Sequence, residues 1–372
     1  MAGDLVKELL DRMTVTDRKQ CLDVLRGIAV LLVLICHYSP VFVFGGLGVD
    51  LFFVLSGFLI SGLLFSEFKA TGTVNVKRFW IRRGFKIYPP LYTFLLVTTL
   101  ALLAITGGVP HEILADVFFL QNYLPHLWMH GWSLAVEEHF YFALPLLFLF
   151  LLFIGRNKRN PFRPIPMISL VLSVLCLWLR IRVSRYAVDW EQVFAPTHLR
   201  IDSLFAGVTL GYYSHFDPDS FREARRFWVL FLGCFLVIMT SFMPGTVAGV
   251  TFAYVGFTCI VAWAATRKPS QARSLQLLAW VGYYSYSIYL WHAVTQVTFD
   301  VLLGRLPHWV RFPAYVTSTI FLGVAMAKLI EVPSLKIRNK FFPSHASTRT
   351  QSAQLSSAPA VVRAAILQNA DG

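Results

Sequence analysis

Charge is scarce in this chain. Asp, Glu, Lys and Arg make up only 14% of its 372 residues, against 56% hydrophobic residues and a mean hydropathy of +0.60, which excludes a single water-soluble globule. Acidic residues are scarcer still, 20 against 33 basic ones. Cysteine is sparse: Cys21, Cys36, Cys176, Cys234 and Cys259 fall mostly inside apolar runs, with neither metal spacing nor a disulfide framework, and read as packing residues. The ten histidines are scattered, and Cys-x-x-Cys, a Walker loop and a dinucleotide fingerprint are missing. No metal site is expected. No internal repeat or second catalytic domain is visible. The first apolar stretch lacks a small-residue cleavage site, so it reads as a retained span and not as a signal peptide.

What is present is length of apolar run. A hydrocarbon core about 30 Å thick takes about 20 apolar residues per helix. About ten runs of that kind recur, at 24–44, 49–66, 88–106, 134–154, 165–181, 200–215, 227–243, 247–266, 281–303 and 312–330. The expected fold is an all-α, polytopic integral membrane protein. Residues 1–20 form a cytoplasmic segment with the character of a short amphipathic surface helix, 21–340 the membrane domain, and 341–372 a Ser/Ala/Thr-rich tail expected to be disordered.

Lysine and arginine in short loops set the orientation, since cytoplasmic loops carry the excess. The strongest block, Lys69, Lys77, Arg78, Arg82, Arg83 and Lys86, lies between the second and third runs. With ten alternating spans, the N-terminal cations Lys7, Arg12, Arg18 and Lys19 fall on the same side. So do "RNKRNPFR", "RKPSQAR" and "KIRNK", which puts both termini in the cytoplasm. Arg180, Arg182 and Arg185 dissent, so either a span is misplaced there or the outer surface has a basic patch. The net charge of +13 follows from this topology or from anionic ligands on the inner side. Scattered over membrane-flanking loops, these cations do not describe a nucleic-acid surface.

Ionisable groups inside the membrane mark function by default. "GIAVLLVLICHY", residues 27–38, is preceded by Arg26 and carries His37 near its end; eleven residues separate the two, about 16 Å along a helix. The next span opens at Asp50 after a glycine-rich connection, which lets Asp50 approach His37 and orient it as a general base. The alternative is a satisfied histidine capping a helix end.

"LDVLRGIAVLLVLICHY", "GGLGVDLFFVLSGFLIS", "RFWIRRGFKIYPP", "WSLAVEEHFYF", "THLRIDSLFAGVTLG", "YSYSIYLWH" and "IEVP" occur in that order. The set, over roughly 20–335, resembles the membrane acyltransferase 3 family, integral membrane O-acyltransferases of bacterial surface glycans. The resemblance implies a multi-pass protein of the bacterial inner membrane. It would move an acyl group, acetyl on family frequency, from cytoplasmic acyl-coenzyme A to a hydroxyl of a saccharide or glycan of the cell envelope. Many relatives carry a fused soluble domain, and none is expected in the tail here. Acyl-coenzyme A enters as co-substrate, not as a resident cofactor; membrane lipids and the acceptor are the remaining partners.

By motif, His37 matches the family's essential histidine, as base or as acyl carrier, with Asp50 beside it. The paired-arginine motif falls on Arg83 and Lys86, the lysine departing from the pattern, and Arg82 can share the work of holding the coenzyme A phosphates with Arg26. The bland alternative is anchoring of the loop by positive charge. Glu137 is the family's choice over Glu138, either for acceptor binding or proton movement or as favourable charge near a helix start. Arg200 and Asp202 form a structural pair or touch the acceptor. His292 matches a family position, with packing or hydrogen bonding as its first reading. Trp132 and Tyr141 read as interfacial anchors, and Ser56, Gly57, Gly207 and Gly211 as small residues for close helix approach. Glu331 before Pro333 reads as the end of the last span, paired with inner cations. The competing class is a transporter or flippase of a lipid-linked saccharide that uses Arg26, Asp50 and His292 as its path.

Overall fold

The structure, a computed structural model, describes residues 20–38, 45–187, 189–243, 246–303, 305 and 307–343. The expected surface helix before Gln20 and the tail after position 343 lie outside them. Helix is the only regular structure among the described residues. The helices of ten residues or more are α1 Gln20–Tyr38, α2 Gly45–Thr71, α3 Val76–Thr106, α4 Trp132–Ile154, α5 Ile165–Val183 and α6 Ile201–Phe216. They continue with α7 Phe227–Met239, α8 Val247–Ala265, α9 Arg273–Tyr283, α10 Ser285–Leu303, α11 His308–Met326 and α12 Val332–Phe341.

Six of these, α1 to α5 and α8, are long and apolar enough to cross a membrane, and a pair bent by 73°, Pro218–Arg225 with Phe227–Phe242, makes a seventh if it is one span. This is a multi-pass membrane protein. Lipid offers no hydrogen-bond partner, so each crossing segment must satisfy its backbone internally, and helix is the open-chain solution. The run at 281–303 is not one helix: it breaks at Tyr284, between α9 and α10. Tyr, Gly and Ser at 282–287 add to an apolar count without specifying helical continuity. The last run also differs from expectation, because α11 passes through a π-helical turn, Ala327–Glu331, straight into α12. Pro333 does not stop it; the π turn before it has already widened the ladder, with the Val332 N–H reaching the Ala327 carbonyl five residues back.

Two interior prolines show how the bundle is tied together. Pro89 of α3 leaves the carbonyl of Phe85 without its helical donor, and Ser334 of α12 donates to that oxygen at 2.6 Å. Pro145 of α4 likewise orphans the carbonyl of Tyr141, which accepts the indole N–H of Trp80 on α3 at 3.2 Å.

The closest helix approaches use glycine. α2 lies against α6 so tightly that a Cβ on Gly57 would sit 1.9 Å from the Leu204 carbonyl oxygen, and one on Gly207 would sit 2.1 Å from that of Val54. α1 meets α9 in the same way, at Gly27 and Gly282. With lipid as solvent, such close packing replaces the hydrophobic drive that helices feel in water. Gly207→Val is therefore expected to push α2 and α6 apart and cost at least about 1–3 kcal/mol, the range for overpacking. Thermal unfolding in detergent measures it; a midpoint equal to the parent's would show that the contact yields freely.

Candidate active site

α1, α2, α3, α4, α9 and α10 enclose a cavity. Three cations line it: Arg26 from α1, and Arg83 and Lys86 one helical turn apart on α3. Glu137 and Ser133 enter from α4 and Ser56 from α2. Tyr283, Tyr286 and Tyr289 supply an aromatic wall from α9 and α10.

Most of these polar groups have partners in the fold. Ser56 donates to Glu137 Oε1 at 2.6 Å and the buried Tyr141 hydroxyl donates to Oε2 at 2.8 Å, so Glu137 is fixed more than a turn inside α4. Its neighbour Glu138 points elsewhere and accepts from Tyr88 at 2.5 Å. The Arg83 guanidinium lies 4.0 Å from the centroid of the Tyr141 ring, and its buried Nε has no hydrogen-bond partner among the described residues. Lys86 is paired with Glu331, whose other oxygen accepts from Ser287 at 2.6 Å. Lysine at the position where the family carries arginine thus has a partner within the fold. Arg26 is held by Asp23 at 3.1 Å. Arg82 does not line the cavity; its guanidinium donates to the Phe342 carbonyl.

Ser133 and Tyr289 also line the cavity, with their hydroxyls 2.6 Å apart and Tyr289 donating to the His130 carbonyl at 2.7 Å. Beyond them three imidazoles gather. His292 is fully buried on α10, its ring 4.9 Å from that of His37 and 5.0 Å from that of His130. His37 is exposed at the end of α1, where its backbone carbonyl accepts from Gln296 of α10 at 2.7 Å.

The expected His37–Asp50 partnership is corrected here. Asp50 pairs instead with Arg200, both nearly fully buried. Position at a helix start suggested the wrong neighbour, because Asp50 faces α6 and not the end of α1. Arg200 also lies over the rings of Phe53 and Trp132, at 5.5 and 5.7 Å, so it fixes α2 against the start of α4. Asp202 does not pair with Arg200; it takes both terminal nitrogens of Arg180, at 3.1 and 2.8 Å. Arg180 further donates to the Leu199 carbonyl at 2.6 Å and to Thr251 at 3.2 Å. This removes Arg180 from the loop cations that pointed to a misplaced span or an outer basic patch. Trp132 and Tyr141 are also not interfacial anchors: both are buried, against Arg200 and Glu137 respectively.

A family model described as "Acyltransferase domain" matches residues 19–328. The chain belongs to the acyltransferase 3 family. A relative from Staphylococcus aureus strain COL, whose name gives O-acetyltransferase as a provisional assignment, is 29% identical over 354 residues, covering 85% of this chain and 57% of that protein. The peptidoglycan O-acetyltransferase OatA of Listeria monocytogenes is 26% identical over 349 residues, 85% of this chain and 55% of its own length. The O-acetyltransferase OatA of Staphylococcus aureus strain NCTC 8325 is 28% identical over 362 residues, covering 87% and 58%. The chain thus spans less than three fifths of the length of these curated relatives. No solved structure matches it.

Sequence reasoning missed His130, Ser133, Tyr289 and Arg180. Ser133 and Tyr289 lie inside two of the family motifs, and His130 stands two residues before one; a histidine between Trp128 and Trp132 was the available signal.

Proposed function

We propose that this protein is an acyl-coenzyme A-dependent O-acyltransferase of the bacterial inner membrane, moving an acetyl group to a hydroxyl of a cell-envelope saccharide. The observation that carries this reading is a cavity that gathers Arg26, Arg83 and Lys86 together with the Ser133–Tyr289 pair, Tyr289 lying beside His292, which in turn lies beside His37. Arginine suits the phosphates of coenzyme A, because a guanidinium donates in a planar fork matched to a phosphate. The slender pantetheine arm would follow the cavity toward His37, about 16 Å along α1 from Arg26. His37 then takes the proton of the acceptor hydroxyl as its oxygen attacks the thioester carbon, and coenzyme A leaves as the thiol. Ten crossings with both termini cytoplasmic complete the proposal: six long apolar helices, the bent pair, α6, α10 and α11. The strong basic block then faces the cytoplasm, where acyl-coenzyme A is.

The purified full chain in vesicles, given acetyl-coenzyme A and envelope saccharides, should release free coenzyme A thiol in proportion to acetylated product. A transporter of lipid-linked saccharide would release none. Mass spectrometry of envelope glycans from a deletion strain against its parent identifies the acceptor, with an acetyl mass lost from it.

Within this reading Arg83 is the cation to change, since Lys86 is held by Glu331. Arg83→Gln is expected to weaken donor binding about tenfold or more, the worth of one charge-assisted hydrogen bond of about 1.5–3 kcal/mol. Cysteine-accessibility mapping of residues 67–87 should meanwhile find the loop on its original side. Unchanged affinity with altered topology would make Arg83 an anchoring charge.

A further inference from the structure

His292 carries one feature that the acyl-transfer reading leaves unused. Its Nδ1 lies in hydrogen-bond contact with the Tyr289 carbonyl of its own helix. A carbonyl oxygen only accepts, so Nδ1 bears the hydrogen, and a neutral imidazole has only one ring N–H. Nε2 is therefore the unprotonated nitrogen, with its lone pair outward. That nitrogen is buried and has no hydrogen-bond partner among the described residues. A buried acceptor left unpaired is costly and calls for an explanation.

Two rings flank it. His130 already has the backbone of Leu290 as a partner, whereas among the described residues His37 is tied through its backbone carbonyl and not its ring, whose centroid lies 4.9 Å from that of His292. The second side-chain torsion of histidine is broad, so a small rotation of His37 brings its ring N–H to the waiting Nε2.

We propose that His292 is the positioning residue of the reaction, a tautomer-locked imidazole whose Nε2 accepts the ring N–H of His37. This rests on the acyl-transfer reading above. The lock orients His37 with its other nitrogen bare toward the acceptor hydroxyl. As the hydroxyl oxygen bonds to the thioester carbon, its proton moves to that bare nitrogen. The carbon–sulfur bond breaks, and the proton passes from His37 to the departing thiolate, leaving both imidazoles as they began. His292 stabilises the transient imidazolium through the shared hydrogen, the part a carboxylate takes where a histidine base has one. Asp50, bound to Arg200, does not fill that part here.

The test reads the tautomer directly. The full chain, labelled with nitrogen-15 on histidine and reconstituted in phosphatidylglycerol-containing vesicles, is measured by solid-state NMR. His292 should show a protonated Nδ1 and a bare Nε2 at neutral pH, and His37→Ala should move the Nε2 resonance. An Nε2–H tautomer, or an Nε2 resonance unmoved by His37→Ala, overturns the proposal. His292→Asn, which keeps a donor toward the Tyr289 carbonyl but has no atom at Nε2, identifies the signals by their loss. His292→Gln replaces it for that purpose if the asparagine variant does not fold. In turnover, the folded variant should lose about a hundredfold in kcat with KM for the donor within about twofold, the range for losing acid–base assistance; kcat within threefold of the parent also overturns the proposal. The tautomer is read without turnover, so a protein that transfers no acyl group defeats the functional reading, while the nitrogen resonances still decide whether the imidazole lock exists.

Discussion

His37→Ala is expected to lower acyl transfer by a factor of about 10²–10⁴ or more, the contribution of a positioned general base, while the protein inserts and unfolds like its parent. The structure separates these two outcomes. His37 is exposed, and its tie to α10 runs through its backbone carbonyl, which accepts from Gln296 and survives truncation to alanine. Little packing is lost with the ring. Coenzyme A thiol release against time, beside size-exclusion and thermal unfolding profiles in detergent, measures both. Normal turnover in the folded variant would remove His37 from the chemistry. A misfolded variant would contradict the exposed placement of its side chain.

Asp202→Ala should be the most damaging single change to stability, at about 3–5 kcal/mol, because it leaves the Arg180 guanidinium without the partner of its charge in a fully buried site. The pair joins α5 to α6 and, through Thr251, to α8, so its loss should loosen the part of the bundle behind α2. Replacing both partners, as in Arg180→Met with Asp202→Leu, should restore most of the loss, since apolar side chains need no compensation there. A double-mutant cycle on thermal or denaturant midpoints gives the coupling. Additive effects of the two single changes would mean that the charges do not depend on each other. Asp50→Asn belongs to the same class. It withdraws the charge that faces Arg200, so its first effect should be on stability and not on orientation of His37.

The helices and the cavity were legible to different degrees. α1 to α8 fall on the expected runs because a membrane segment must be apolar and must close its hydrogen bonds locally, and both requirements are written residue by residue. Arg26, Arg83, Lys86 and Glu137 were likewise singled out by motif, and all four line the cavity. The small residues Gly57 and Gly207 showed in the sequence that two helices would approach closely.

Partnership was not legible. Asp50 meets Arg200 across 150 residues, Lys86 meets Glu331 across 245, and His37 meets His292 from opposite ends of the sequence. Composition gives the cost of a buried charge but not the neighbour that offsets it, so the sequence placed Asp50 beside the histidine nearest in the chain. Arg180 looked like a loop cation for the same reason: it ends an apolar run close to Arg182 and Arg185, and only the packing of α5 on α6 buries it against Asp202. The sequence by itself determined that this is a helical membrane protein and which polar residues lie within its spans. Tertiary structure alone decided which of them share a cavity, which cancel one another's charge, and which imidazole keeps an unpaired nitrogen, because helix crossing and rotation are set by contacts between segments and not by the periodicity of any one of them.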